Sequence, residues 1–523
     1  MSLFEPSSET VSLYLPKQVT EIDHYAIEQL GIPAVILMKR AGRCAFEALL
    51  EQWPEVSCVH IFCGSGNNAG DGYVLAALAQ QRRLAVTVWA VSDPESLKGA
   101  AQSAYRYAMQ EGIECRPYDA SHWQQSIHTV DNTVIVDALL GTGVIGEPRP
   151  AYAVVIEAIN DSGCPVMSLD IPSGVDADTG RVPTVAVQAQ YTLSFVGQKR
   201  GLFTGAGREH SGVRQFTDLE IPLDVYESQQ PAAQILQIHD WLPLLPQRRN
   251  AAHKGHCGHI AIIGGDCGAG FGYGGAPIMA AQMALRTGAG LVSMATRPEF
   301  VAPALARHPE VMVAGIENGQ ALLPLLERVS GIVVGPGLGQ SAWSEQLLYH
   351  VLQSDKPLVL DADALHLIAR DDFSQLVSIP PQQRQWILTP HPGEAASLLD
   401  ITVDEVQADR FAAAAAIQQR YGGSVVLKGA GTIVTSSTSE QWLCDYGNPG
   451  MASGGMGDVL SGLLGSLLVQ GMTHDAAALL GTSLHSLAAD KIAQTQGQRG
   501  LIATDLIAPV REWLDGRGEP NHV

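Results

Sequence analysis

Residues 452–464 read ASGGMGDVLSGLL, a glycine-rich loop that runs directly into an apolar stretch. The leucines that follow repeat with the spacing of one buried helical face: Leu460, Leu463, Leu464, Leu467 and Leu468. The loop therefore leads into a helix N-terminus, where backbone N–H groups and the helix dipole favour an anion. Asp458 would lie beside that anion and take a proton from a hydroxyl group. For this motif alone, an acid that merely complements the helix dipole is the alternative.

Four other apolar runs in this half of the chain end in polar or glycine-rich loops. The loops are Gly335-Pro336-Gly337-Leu338-Gly339, Asp361-Ala362-Asp363, Thr389-Pro390-His391-Pro392-Gly393-Glu394 and Lys428-Gly429-Ala430-Gly431-Thr432. Parallel sheets bind ligands at the C-terminal ends of their strands, so we expect these loops to meet at one site. The fourth loop offers a cation and flexible N–H groups for a phosphate. A nucleotide is the ligand that this set of loops predicts.

The first half of the chain shows a similar alternation of apolar strands and helices. Strands are predicted at residues 59–63, 86–91, 134–139 and 166–169, and helices at 22–51, 72–81 and 101–110. This alternation favours a doubly wound parallel sheet, and a second α/β series follows from residue 260. Prolines interrupt the pattern between residues 220 and 250. We therefore predict one domain over residues 1–225, a linker that leads into the second domain over 226–250, and the second domain over 235–523.

Three loops of the first domain carry side-chain oxygens. GSGNNAGDG at 64–72 follows the first strand, and Asp137 and Asp170 stand at the ends of two later strands. Loops of a parallel sheet emerge on one edge, so Asn68, Asp137 and Ser173 would meet around a hard cation. Asp170 would remain as the acid–base residue. The alternative is that either aspartate caps the turn that follows it.

Composition and charge limit the classes of molecule that the chain is expected to bind and the compartment in which it is expected to lie. Lys and Arg number 32 against 53 Asp and Glu, which gives a formal net charge of −21. Such a charge disfavours nucleic acid and anionic membrane surfaces. The sequence contains no apolar run of membrane-spanning length, and its first residues lack the pattern of a secretory signal. The 8 cysteines include no C-x-x-C pair, which favours a reducing compartment. We expect a cytoplasmic protein.

The second half of the chain resembles the NAD(P)H-hydrate dehydratase branch of the ribokinase-like superfamily. The matching stretches are His253-Lys254-Gly255, Gly264-Gly265, residues 335–339, 391–394 and 428–432, and Gly454-Gly455-Met456-Gly457-Asp458. The resemblance covers residues 235–523 and implies a ribokinase-like α/β fold with ADP as co-substrate, accompanied by magnesium. It implies Asp458 as the catalytic base and these substrate contacts: Ala276, Gly337, Gly339, His391 and Asp458. It implies these nucleotide contacts: Lys428, Gly429, Ala430, Gly431, Thr432 and Gly457.

The first half, over residues 19–225, resembles the NAD(P)H-hydrate epimerase family through the loops at 64–72, 141–147 and 170–176. That family implies a Rossmann-like fold, with Asp170 as the catalytic residue and potassium held by Asn68, Asp137 and Ser173. It also implies these contacts to a hydrated dinucleotide: Asn67, Asn68, Ala69, Gly70, Asp71, Gly141, Thr142, Gly143, Val144, Ile145, Gly146, Glu147, Tyr152 and Asp170.

Together the two resemblances imply repair of hydrated NADH and NADPH. The first domain would interconvert the R and S forms at C6, and the second would dehydrate the S form with ADP, releasing AMP and phosphate. We expect a homo-oligomer that binds small molecules. The residues alone do not separate ADP from ATP. The alternatives are a small-molecule kinase with an accessory domain, and a chain whose first domain only binds a ligand.

Overall fold

Each half of the chain builds its own mostly parallel sheet, which confirms the predicted α/β class. The computed structural model describes residues 11–127, 130–143, 146–268, 271–370, 373 and 379–517. The chain divides into two units: one is Ser12–Ala233, and the other comprises the residues from Gln234 onward together with Val11. No helix among the described residues is both long and apolar enough to cross a membrane.

The N-terminal unit contains a seven-stranded, entirely parallel sheet in the order β4-β3-β2-β5-β6-β7-β9. Two further strands of this unit, β1 and β8, are not part of that sheet and pair with each other in parallel. Its strands are β1 (Ser12–Tyr14), β2 (Cys58–Cys63), β3 (Ala85–Ala90), β4 (Glu114–Pro117), β5 (Thr133–Ala138), β6 (Val166–Leu169), β7 (Tyr191–Phe195), β8 (Gln198–Lys199) and β9 (Val213–Thr217). Its helices are α1 (Pro16–Glu28), α2 (Ala34–Gln52), α3 (Asn67–Gln81), α4 (Gly99–Gln110), α5 (Ala120–Ser126), α6 (Pro150–Asn160), α7 (Gly205–Ser211) and α8 (Leu223–Glu227).

The strand order of this sheet reverses between β2 and β5, and such a reversal opens a crevice at the carboxyl ends of the strands. The loops that follow β2 and β5 are in contact at this crevice. A Cβ built on Gly64 would lie 1.9 Å from the carbonyl oxygen of Leu139, so only glycine permits this approach. The crevice therefore lies between two of the loops for which the sequence predicted a polar site.

Two predicted helix boundaries in this unit were wrong. The helix predicted over residues 22–51 is two helices, because Gly31 adopts a φ of 68° and Pro33 is the N-cap residue of α2. The helix predicted from residue 72 already begins at Asn67. Asn67, Asn68 and Asp71 therefore lie on the first turns of α3, not in a free loop.

The C-terminal unit contains a larger sheet in the order β15-β14-β11-β16-β17-β18-β19-β20-β21-β10. The strands of this unit are β10 (Ala233–Ile235), β11 (His259–Ile263), β12 (Cys267–Gly268), β13 (Phe271–Gly272), β14 (Leu291–Thr296), β15 (Met312–Gly315), β16 (Gly331–Val334), β17 (Leu358–Leu360), β18 (Trp386–Leu388), β19 (Ser424–Leu427), β20 (Thr432–Thr435) and β21 (Gln441–Cys444). Of these, β12 and β13 pair only with each other, antiparallel, outside the larger sheet. Strands from β15 to β19 run parallel, and β20 and β21 return antiparallel.

The helices of this unit are α9 (Ile238–Trp241), α10 (Gly275–Arg286), α11 (Val301–Arg307), α12 (Leu323–Leu326), α13 (Ala342–Leu352), α14 (Asp363–Ile368), α15 (Pro392–Leu399), α16 (Val403–Ala408), α17 (Arg410–Tyr421), α18 (Met456–Val469), α19 (His474–Gln496) and α20 (Ile507–Leu514). The leucine stripe predicted on α18 is buried at every position, from Leu460 to Leu468. Its burial fixes the direction of α18, and with it the position of the first turn.

The order of the C-terminal sheet reverses between β11 and β16, so the loops after its strands gather at one edge. Gly335 holds the loops after β16 and β17 together. Its φ is 128°, and a Cβ there would lie 1.7 Å from the carbonyl oxygen of Asp361. A side chain at this position would separate the two loops and displace Asp361.

Candidate active sites

Asp458 lies in the first turn of α18, after the left-handed Gly455 (φ 93°). Burial raises the pKa of its carboxyl group to about 7, with Asp361 raising it further and Lys428 opposing the shift. A carboxyl group with this pKa is divided between its acid and base forms near neutral pH, which is the condition for proton transfer.

Lys428 at the end of β19 lies among carboxylates. Its Nζ is 2.8 Å from Asp361 Oδ1 and 3.6 Å from Glu394 Oε2. Ser461 Oγ donates to the other oxygen of Asp361 at 2.6 Å. Burial alone would raise the pKa of Asp361, but the Lys428 ammonium group lowers it below its ordinary value. A Cβ on Gly457 would lie 3.3 Å from Lys428 Nζ, so the glycine loop and the lysine meet as predicted.

His391 is the N-cap residue of α15. Its Nδ1 accepts from the Gly393 N–H at 2.9 Å, so a neutral ring carries its proton on Nε2, 3.3 Å from Glu394 Oε1. Burial and the charge of Lys428 lower the pKa of His391. Burial raises the pKa of Glu394 to about 7, although Lys428 acts against the shift. The His391–Glu394 pair therefore joins the ionisable groups around Lys428.

The loop over residues 428–432 is organised by Arg410, which the sequence analysis missed. The guanidinium group is buried and donates to the carbonyl oxygens of Leu427 (3.3 Å), Lys428 (3.3 Å) and Gly431 (3.4 Å). Burial lowers the pKa of Arg410 to about 10. An arginine beside an alanine-rich run is typical of a solvated helix face, so no local signal marks it.

The remaining predicted contacts of this site are also brought together. Gly337 adopts a φ of 58°, and a Cβ there would lie 3.3 Å from the Cβ of Ala276. The Gly339 N–H donates to Asp363 Oδ2 at 2.8 Å. Asp363 in turn raises the pKa of Asp458, so the loop after β16 and the first turn of α18 share one electrostatic environment.

The N-terminal unit contains a cavity of about 500 Å³ at the reversal of its sheet. The cavity is lined by several predicted residues: Asn67, Asn68, Asp71, Gly141, Thr142, Gly143 and Asp170. Other predicted contacts occupy different positions. Ala69 is buried, Gly70 packs against Met38, and Gly146 and Glu147 are exposed. The Tyr152 hydroxyl is 2.8 Å from Ser92 Oγ. Val144 and Ile145 lie outside the described residues.

Asp170 forms an ion pair with the buried Lys199, a second residue that the sequence analysis missed. The Lys199 ammonium group also donates to the Phe195 carbonyl at 2.7 Å, and the Phe195 N–H donates to Asp170 Oδ1 at 3.2 Å. Asp71 lies nearby, and its pKa is raised well above its ordinary value by burial and by the negative charge of Asp170. A lone lysine is usually a solvated residue, so its sequence position gave little indication of this pair.

The three residues predicted to hold a cation lie close together: Asp137 and Ser173 are hydrogen-bonded to each other, and Asn68 and Ser173 both donate to the Leu140 carbonyl. Ser173 donates to Asp137 through its hydroxyl (2.6 Å) and its N–H (2.8 Å). Asn68 Nδ2 donates to the Leu140 carbonyl at 2.9 Å. Asn68 Oδ1 is buried and has no hydrogen-bond partner among the residues that the structure describes. Burial raises the pKa of Asp137, with the bonds from Ser173 acting against the shift.

Comparison with known proteins identifies relatives of both units. Residues 260–511 match the family described as NAD(P)H-hydrate dehydratase, and residues 34–201 match the family described as YjeF-related protein N-terminus.

The chain is 43% identical to a bifunctional NAD(P)H-hydrate repair enzyme of Coxiella burnetii, over 95% of this chain and 98% of the relative. It is 38% identical to the enzyme of the same name from Escherichia coli, over 97% of this chain and 94% of that protein. A solved ribokinase-like superfamily protein from Enterococcus faecalis is 30% identical with a TM-score of 0.49, covering 55% of this chain and 96% of its own.

Proposed function

Because the chain belongs to the bifunctional NAD(P)H-hydrate repair enzymes, we propose that it restores hydrated NADH and NADPH at two separate active sites. The N-terminal unit interconverts the R and S forms at C6, and the C-terminal unit dehydrates the S form with ADP. The observation that carries this proposal is the grouping of Asp458 with Lys428, Asp361 and the glycine loops. A site with one base, one cation and several N–H groups suits phosphoryl transfer.

Dehydration requires that a poor leaving group become a good one. Asp458 takes the proton of the C6 hydroxyl group as the hydroxyl oxygen attacks the transferring phosphoryl group of ADP. Lys428 and the N–H groups of the glycine loops stabilise the charge on that group. The neighbouring ring nitrogen then expels phosphate, and the ring double bond is restored when C5 loses a proton. We assign nucleotide binding to residues 428–432 and Gly457, and substrate binding to Ala276, Gly337, Gly339 and His391.

In the N-terminal unit, we assign Asp170 as the base that acts on the C6 hydroxyl. Lys199 lies beside this carboxylate and forms an ion pair with it. The substrate would enter the cavity that Asn67, Asp71 and the loop over residues 141–143 also line. Cytoplasmic location, a homo-oligomeric state and magnesium bound with the nucleotide remain predictions.

We propose that potassium binds beside Asn68, Asp137 and Ser173. Asn68 Oδ1 fits this role because it is a buried oxygen that lacks a donor among the described residues. Asp137 supplies the negative charge, although its oxygens already accept four hydrogen bonds. When bound, the ion would add positive charge beside the carboxylates of the cavity.

Potassium should raise the melting temperature of the chain above the value in choline chloride at the same ionic strength, because an ion that binds the folded state stabilises it. Asn68→Leu should lose this increment, whereas the adjacent, exposed Asn67→Ala should keep it. Differential scanning calorimetry measures both. An increment of equal size in all three proteins contradicts the site.

The repair activity is tested with a chemically prepared mixture of hydrated NADPH epimers, incubated with ADP, ATP or neither. We expect ADP to support complete consumption of both epimers, with NADPH, AMP and phosphate as products. A stable phosphorylated product would favour the kinase alternative. Consumption that ends when the S form is exhausted, with the R form unchanged, would favour an N-terminal unit that only binds its ligand.

A further inference from the structure

An aspartate lies in the apolar stripe of α1. Val19, Ile22 and Ala26 are buried on this helix, and Asp23 stands between them. Val19 and Ile27, one turn on either side of Asp23, line the same cavity as Asp23 itself. Asp23 lies outside residues 34–201, which match the family description. An acid within an apolar stripe is unfavourable for folding unless its carboxyl group is paired. An unpaired acid that lines a cavity is therefore a candidate for a chemical role.

The Asp23 carboxylate has no ion-pair partner among the residues that the structure describes. Its carboxylate forms no hydrogen bond with any residue that the structure describes. The charged groups that face it come from other elements: Asp170 at the end of β6, Lys199 in β8 and Asp71 in α3. The Tyr226 hydroxyl of α8 is also near, and it donates to the Val196 carbonyl. Burial raises the pKa of Asp23 to about 6, with Lys199 lowering it and Asp170 raising it.

We propose that Asp23 is a second acid–base residue of the epimerisation site, which protonates the ring nitrogen while Asp170 takes the proton of the C6 hydroxyl. The proposal rests on the epimerase function assigned above. Of the three carboxyl groups in the cavity, Asp170 is ion-paired with Lys199, and Asp71 is buried at the start of α3. Asp23 is the partly exposed one without an ionic partner of its own.

Two such groups are what inversion at C6 requires. The hydroxyl proton passes to Asp170 as the C6–oxygen bond becomes a carbonyl, and the electron pair of the C6–N1 bond moves to nitrogen. N1 takes a proton from Asp23, so that Asp23 is now ionised and Asp170 is protonated. Rotation about C5–C6 presents the opposite face of the carbonyl. N1 then returns its proton to Asp23 and attacks C6, and the oxygen recovers the proton from Asp170.

The test uses the full chain and separated R and S forms without ADP. Asp23→Asn should lower kcat for interconversion by about 10²–10³-fold, with KM within about threefold of wild type. The wild-type kcat/KM should decline as pH rises through about 6, because Asp23 must be protonated. In Asp23→Asn that decline should be absent. Glu28→Gln, the same chemical change on the exposed face of α1, should retain wild-type kinetics.

Two controls separate the possible failures. If wild type does not interconvert the epimers, the proposed function fails. If wild type does so and Asp23→Asn matches it in rate and pH profile, the role of Asp23 is wrong. Asp23→Asn should melt no lower than wild type at pH 7.5, because it removes an unfavourable buried charge. A lower melting temperature together with an unchanged pH profile would make Asp23 structural and overturn the proposal. If the variant does not fold, a wild-type profile without the decline near pH 6 overturns it equally.

Discussion

Replacing Asp458 with asparagine should reduce ADP-dependent dehydration of the S form by about 10²–10⁴-fold, while R–S interconversion continues at the wild-type rate. Asparagine keeps the shape of the side chain but cannot take a proton. The neighbouring Lys428, Asp361 and Gly457 remain in place, so ADP should still bind. The measurement is NADPH recovery from the purified S form, with epimer interconversion followed separately.

The pH dependence of dehydration gives an independent check on Asp458. Burial raises the pKa of this carboxyl group to about 7, and a base must be ionised to act. The wild-type kcat/KM should therefore rise with pH through about 7 and then level off. The residual activity of Asp458→Asn should lack this rise.

The folding stability of Asp458→Asn should change in the opposite direction to its activity. Because the pKa of the Asp458 carboxyl group is raised in the folded state, the free energy of unfolding falls as pH rises from the ordinary carboxyl pKa through about 7. The asparagine variant lacks this loss and should be at least as stable as wild type at pH 8. Asp355→Asn, at an exposed position of the same unit, serves as the matched control and should leave both sites unchanged. If interconversion stops together with dehydration in Asp458→Asn, two independent sites are not supported.

Replacing Lys199 with methionine should destabilise the N-terminal unit by about 3–5 kcal/mol and abolish epimer interconversion. The Lys199 side chain is 1% exposed, and its partner Asp170 is 15% exposed. Without the ammonium group, the half-buried Asp170 carboxylate remains beside Asp71 with only the Phe195 N–H as a donor among the residues described. Thermal and urea unfolding followed by circular dichroism would measure the loss, and the S-form dehydration should persist under folding conditions.

A second substitution separates the charge from the packing. Adding Asp170→Asn to Lys199→Met replaces the two charged side chains with neutral ones of similar size, so most of the lost stability should return. Activity should not return, because Asp170 is the proposed base. Lys17→Met, at an exposed position of α1, should match wild type in both respects. If Lys199→Met alone is as stable as wild type, the ion pair with Asp170 does not stabilise the N-terminal unit.

The C-terminal site was largely predictable from local pattern. Lys428, Asp361 and His391 each follow an apolar strand, and the leucine stripe places Asp458 in the first turn of its helix. Strand-end loops of a parallel sheet must meet at one edge, so the motifs themselves imply their convergence. The assignment of two α/β units followed from the same alternation of strands and helices.

The sequence by itself determined the fold class, the family resemblance and the loops that form each site. The tertiary structure alone decided which ionisable groups share an environment. Asp23 and Lys199 come from distant segments and meet only when α1 and β8 close the cavity around Asp170. Arg410 acquires its role only when α17 packs its guanidinium group under the Lys428 loop. The physical reason is that periodicity reports which face of an element is buried, whereas the field on a charged group depends on everything packed around it.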